Sequence, residues 1–232
     1  GSLPCIPARR ELHTGRYNFL HRSWGPLEPF DDSMPALLRD NGVHSHLATD
    51  HWHYFSTGGA MYNTRYSTWE FCRGQMGDPW KGQVREPEMP EDVVVAKEGR
   101  AWRQNWVNRE HMPNEEDHHL AKTVGKGVEF MEMNKDEDNW FCQIECFDPH
   151  EPFFSPQAYK DLYPHDYDGR FNDCPPYTKI HESPEEVAHV RYEYAALVSM
   201  CDAYLGRVLD KMDELDLWDD TMLIVNTDHG FL

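Results

Sequence analysis

The sequence predicts an α/β fold, a three-layer sandwich with a mostly parallel central sheet and helices on both faces. Two observations carry this. Strand-like segments at 43–49, 139–147 and 221–226 alternate with segments of helical periodicity, the pattern of sheets covered by helices on each side. Two of those segments run into polar clusters, Asp148-Pro149-His150-Glu151-Pro152 and Thr227-Asp228-His229-Gly230. In open α/β sheets ligands bind at the carboxyl ends of the strands, so both clusters are expected to serve one site.

The elements follow in order. The opening GSLPCIPARRELHTG sets Cys5 between two prolines and continues as a run suited to helix. DDSMPALLRDNG reads as a short helix with a polar start at Asp32 or Ser33, an early proline and Gly42 at its stop; strand-like VHSHLAT comes next. Residues 56–112 are rich in Trp, Gly, Pro and charge without steady periodicity. They are read as an insert of excursions and short elements, of the kind that shapes substrate pockets. Residues 115–135 read as helix, and 139–147 as a buried strand. Ser183-Pro184-Glu185-Glu186 matches a capping box with proline at the first helical position. The apolar stripe Val187, Val190, Tyr194, Leu197, Cys201, Leu205, Val208, Met212, Leu215 keeps helical spacing behind it. A buried strand is then expected over 221–226.

Size and charge narrow the function classes. The 232 residues are enough for a full core, and the absence of repeats or low-complexity tracts reads as one globular unit. With 22 basic and 41 acidic residues the net charge is -19, so the protein's own field opposes a grip on phosphate backbones; nucleic acid is not an expected partner. No apolar run is long enough to span a membrane, and no export signal opens the chain. The first residue is not Met and the last lies just past a strand-like run, so the chain is expected to be an internal piece of a longer protein. The six cysteines form no CxxC pair; Cys142, Cys146 and Cys201 read as buried thiols.

Cys5-Ile6-Pro7-Ala8-Arg9, followed by Leu12, Thr14 and Gly15, resembles the sulfatase signature C-x-P-S/A-R-x-x-L-x-T-G at every fixed position. Asp228-His229-Gly230 resembles the D-N/H-G metal motif of the sulfatase and alkaline phosphatase superfamily. The resemblance implies an alkaline phosphatase-like fold, truncated at both ends, with residues 1–232 forming a partial catalytic domain. It also implies that a formylglycine-generating enzyme oxidises Cys5 to formylglycine. One hydroxyl of the hydrated aldehyde would attack sulfur and the other later expel sulfate. Arg9, one helical turn on, would face the hydrate or a sulfate oxygen. Asp228, His229 and the modified Cys5 would hold a divalent cation, calcium first; the softer imidazole leaves other metals open.

Two histidine segments extend the resemblance. Asp148-Pro149-His150-Glu151-Pro152 is similar, through His150-Glu151-Pro152, to the family's H-x-P segment, which would place His150 at the leaving-group oxygen, a task suited to imidazole near neutral pH. The stretch 42–53 looks like the family's G-Y-x-T-x-x-x-G-K-x-H without its Gly-Lys pair. Either Asp50 or His51 stands at the lysine position. His51 is favoured for binding substrate because it can carry positive charge, and His53 matches the basic histidine. The family's adjacent aspartates and its second lysine fall outside these residues. Asp31-Asp32 sit where a helix cap is expected and take a structural role.

The leading expectation is therefore a sulfuric ester hydrolase acting on a sulfated small molecule or glycan, with 56–112 shaping recognition. The family points to a periplasmic or secreted protein. Two other readings are carried: a phosphodiester or phosphonate monoester hydrolase using the same site, and a non-catalytic acidic module binding carbohydrate through some of its eight tryptophans.

Overall fold

The computed structural model describes residues 1–18, 24–56, 59, 61–94 and 99–230; parts of the 56–112 insert, including 95–98, therefore lie outside the described residues. The chain divides into two compact units. Gly1–Phe71, Gly125–Glu145 and Leu209–Leu232 form the first; Cys72–Val124 and Cys146–Val208 form the second.

The first unit is built on a three-stranded parallel sheet of order β2-β1-β3, with β1 at His44–Thr49, β2 at Thr68–Phe71 and β3 at Trp140–Glu145. In β1–β3 pairing, Leu47 stands beside Gln143 and Thr49 beside Glu145. Side chains alternate between the faces of a strand, so Phe141, Gln143 and Glu145 share one face and Trp140, Cys142 and Ile144 the other. Helix α1 (Cys5–Thr14) covers the first face, where Ile6 packs with Leu47, Tyr54, Tyr62, Tyr66 and Phe141. The opposite face meets residues 125–133. Phe130 stacks on His46 at 4.6 Å, and Gly127 lies so close that an added Cβ would fall 2.2 Å from Ile144 Cδ1. Helices on both faces of a parallel sheet make the expected three layers.

Local chemistry sets the element ends. Helix α1 stops at Gly15, whose left-handed backbone (φ 65°) lets its N–H bond to Glu11 O at 2.8 Å. Helix α2 (Met34–Asp40) has proline in its first turn and is preceded by Ser33. The anticipated side-chain cap is not made: Ser33 Oγ lies 2.9 Å from His13 Nδ1 instead. Asp31 is likewise structural but not a cap, since it pairs with Arg10, while Asp32 meets Arg16 at 3.0 Å.

The strand expected over 221–226 does not form. No strand pairs with it among the described residues, and Met222, Ile224 and Val225 are 82%, 73% and 64% exposed. Apolar composition favours extended chain, but a strand exists only through ladder bonds to a neighbour.

The second unit contains helix α3 (Arg100–Arg109), the start of α4 (His119–Met133), the short α5 (Gln157–Lys160) and α6 (Pro184–Glu214) up to Val208. Trp102, Trp106 and Cys174 form a core cluster with Val93 and Phe171. The region read as helix from 115 begins with a tight turn at Glu115–Asp117, and the α-helix proper starts at His119. Ser183 Oγ accepts from Glu186 N at 3.2 Å, but the Glu186 carboxylate turns to Arg170 and Asn172, so half of the capping box forms. The buried stripe of α6 in this unit runs through Glu193, Ala196, Leu197, Met200, Tyr204 and Val208, rotated slightly from the expected one and leaving Cys201 partly exposed. Cys142 and Cys146 are also half-buried. Both β2 and α3 lie within 56–112, where the sequence carries no clear period.

Candidate active site

Because β1 and β3 are parallel, their carboxyl ends share one edge of the sheet. Glu145 ends β3 there; Asp50, His51 and the turn Trp52–Phe55 follow β1. Helix α1 presents Cys5, Arg9 and His13, each one turn apart and all buried, to the same region.

Arg9 is the centre of the assembly. Its Nε donates to Glu145 Oε1 at 2.6 Å, and its Nη1 donates to Asp228 Oδ2 at 2.5 Å and Cys5 O at 3.3 Å. Burial by itself would lower the guanidinium's pKa, but Glu145 first, then Tyr54 and Asp228, outweigh it and hold Arg9 well above its ordinary value. Cys5 Sγ lies 3.7 Å from His229 Nε2, and His229 Nε2 is 3.4 Å from Asp228 Oδ2. The structure thus brings Cys5, Arg9, Asp228 and His229 together across more than two hundred residues of chain.

Behind Arg9 runs a buried polar chain. Glu145 Oε2 accepts from Tyr54 OH at 2.9 Å and from Gln143 Nε2 at 2.7 Å; Gln143 Oε1 accepts from Tyr66 OH at 2.8 Å. Tyr66 OH sits 3.4 Å from His13 Nε2. Since the Tyr66 hydroxyl already donates to Gln143, its oxygen is left to accept from His13 Nε2–H, and the tautomer that satisfies both contacts has Ser33 Oγ donating to Nδ1. Burial, with Arg65 and Arg9 nearby, pushes His13 down to about 3. Burial first and Glu145 second raise both Tyr54 and Tyr66, so they remain neutral donors. Every link therefore has a donor facing an acceptor, which is the condition for a buried network to hold one arrangement.

His51 is buried and meets Tyr54 edge-on at 4.7 Å; His53 is 5.1 Å from His51 and packs against Trp24 at 5.0 Å and Trp52 at 4.3 Å. His51 thus stands against Tyr54, the residue that donates to Glu145. His150 belongs to the second unit, where its Nδ1 lies 2.6 Å from Glu151 O and 3.1 Å from Glu151 Oε2.

Glu145, Gln143 and Tyr54 were not singled out from the sequence. A signal existed: Gln143 and Glu145 are polar residues on one face of an otherwise apolar strand, just before the DPHEP cluster. What they meet could be read only after α1 was placed on that face.

One atom each from Cys5, Asp228 and His229 lie within 4.8 Å of one another, a spacing that fits a single cation. The donors are one carboxylate, one imidazole and a sulfur standing where an oxidised Cys5 would present oxygen. These donors suit a divalent ion.

A family model described as Sulfatase matches residues 1–232. Arylsulfatase K of Homo sapiens is 22% identical over 98% of the chain, and Arylsulfatase K of Canis lupus familiaris is 21% identical over the same share. The chain spans 44% of the length of each. The Multifunctional alkaline phosphatase superfamily protein PehA of Trinickia caryophylli is 42% identical over a short stretch, 19% of this chain and 9% of its own length. The crystal structure of the phosphonate monoester hydrolase of Agrobacterium radiobacter shares the fold, with a TM-score of 0.59 at 16% identity, over 94% of this chain and 52% of that one.

Proposed function

The chain belongs to the sulfatase family, within the alkaline phosphatase superfamily, and from that premise we propose that it carries the nucleophile of a hydrolase cleaving sulfate monoesters. The observation that carries this reading is Arg9, buried one turn beyond Cys5 and held between Glu145 and Asp228, with His229 at the Cys5 sulfur.

A sulfate monoester is anionic and resists ordinary nucleophiles, so its site must supply fixed positive charge. Arg9 provides that charge. Glu145 aims the guanidinium by taking Nε, and Tyr54 and Gln143 hold Glu145 in turn. Formylglycine at position 5, made by a formylglycine-generating enzyme, would supply a hydrated aldehyde, whose one hydroxyl attacks and whose other releases sulfate. Asp228, His229 and the modified Cys5 would hold a divalent cation, calcium first, which supplies charge opposite the ester oxygens. His51, able to carry charge, is assigned to substrate binding, His53 to proton transfer near the nucleophile and His150 to the departing oxygen. Residues 56–112 are assigned to recognition of a sulfated small molecule or glycan, and the family favours export.

Peptide mass spectrometry of the native protein tests the reading. The Cys5 peptide is expected to have lost sulfur and gained an aldehyde, and Cys5→Ala to abolish aryl sulfate turnover. An unmodified thiol together with full activity of Cys5→Ala would end it. A second reading, a phosphonate monoester or phosphodiester hydrolase, draws support from the name of the fold neighbour. Matched aryl sulfate and aryl phosphonate substrates separate the two by their ratio of kcat/KM.

A further inference from the structure

We propose that His118, His119 and Asp148, in the second unit, form a separate binding site for a divalent ion of the zinc class. The two histidines sit where α4 begins, and Asp148 lies just past β3 in sequence. All three side chains are buried, with exposures of 2%, 5% and 4%. Their Nδ1 atoms converge on one carboxylate oxygen, each 3.8 Å from Asp148 Oδ2. A hydrogen-bonded His–Asp pair would stand at about 2.7–3.2 Å. Donors around one tetrahedral ion, bound at about 2.0–2.2 Å, stand roughly 3.3–3.6 Å apart, so a small adjustment seats a shared ion.

The surroundings suit ligation. His118 Nε2 lies 2.9 Å from Phe154 O, so a proton there is donated to the carbonyl and Nδ1, 3.8 Å from Asp148 Oδ2, is the nitrogen that keeps a lone pair. A ligating histidine is ordinarily oriented by such a bond through its other nitrogen. The Leu120 N–H reaches His118 Nδ1 at a long 3.3 Å and would yield to an ion. A carboxylate near the start of a helix is favourable in any protein, but that accounts for the acid alone and not for two imidazoles aimed at it. His118 also lines a cavity of about 460 Å³ with Arg109, Phe154 and Lys160. Two imidazoles and one carboxylate, with a fourth position open, is a zinc-type donor set, unlike that proposed around Cys5. A bound ion would tie the loop carrying Asp148 to the start of α4.

The test uses the full chain bearing Asp228→Asn and His229→Ala, which removes the first candidate metal site, stripped with chelator and titrated calorimetrically with Zn²⁺ alone. One equivalent is expected to bind, and X-ray absorption should show two imidazoles with oxygen and no sulfur. Adding His118→Gln and His119→Gln should weaken binding by about 100-fold or more, beyond the loss typical of outer-shell changes. No stoichiometric zinc, a sulfur-containing shell, or unchanged affinity in the histidine variant overturns the site. If that variant does not fold, the absorption spectrum of its parent decides. The result is independent of which ester the protein cleaves.

Discussion

At the residue scale, Arg9 lies between two acids, and the inner one, Glu145, is fixed by two further donors. Glu145→Gln keeps the shape and removes the charge that aims Nε. A fall in kcat/KM of about 10–100-fold is expected, equal to about 1.4–2.7 kcal/mol, carried mainly by kcat because a misaimed guanidinium costs most where charge develops. Steady-state kinetics on the turned-over ester, beside a folding check by circular dichroism, measure it; wild-type kinetics would remove Glu145 from the site. His13 makes a pH prediction. Its folded pKa is lowered from 6.5 to about 3, so between those values the unfolded chain binds more protons than the folded one. Its stability contribution is complete above pH 6.5 and is lost as pH falls towards 3. At about pH 5 the loss is about 2 kcal/mol relative to pH 8, and His13→Gln should flatten that part of the profile in urea titrations.

At the element scale, the packing of α4 on β3 rests on Gly127. An added Cβ would meet Ile144 at 2.2 Å and 2.3 Å, so Gly127→Ala overpacks the interface although alanine is the better helix former. A net destabilisation of about 1 kcal/mol is expected by thermal melts. In an Ile144→Ala background the same change should stabilise, and equal effects in both backgrounds would refute the contact. This glycine was not legible as a packing device, because its partner is fixed only by strand register. The helices were more legible: Ser183 and Pro184 start α6, and Gly15 stops α1, through bonds made within a few residues. The segment 221–226 shows the reverse case, since its apolar character is local but its strand state depends on a neighbour.

At the scale of the whole molecule, a net charge of -19 opposes compaction. Raising salt from about 20 mM to 300 mM shortens the screening length from roughly 20 Å to below 10 Å. The midpoint of thermal unfolding should rise by about 2–4 °C, as a gain of about 1 kcal/mol would give at this size; a fall would mean that exposed ion pairs outweigh the repulsion.

The sequence by itself determined the α/β class, the family, the start of α6 and the residue types at the site: a cysteine one turn before an arginine, and a distant Asp-His pair. Each is written in contiguous residues, in spacing that a helix or strand must obey. Only the tertiary structure decided that Arg9 meets Asp228 and Glu145, that Tyr54 and Gln143 stand behind them, and that two histidines converge on Asp148. These contacts depend on strand order, register and which face a helix covers, and such choices are made by packing across long stretches of chain rather than by any local run of residues.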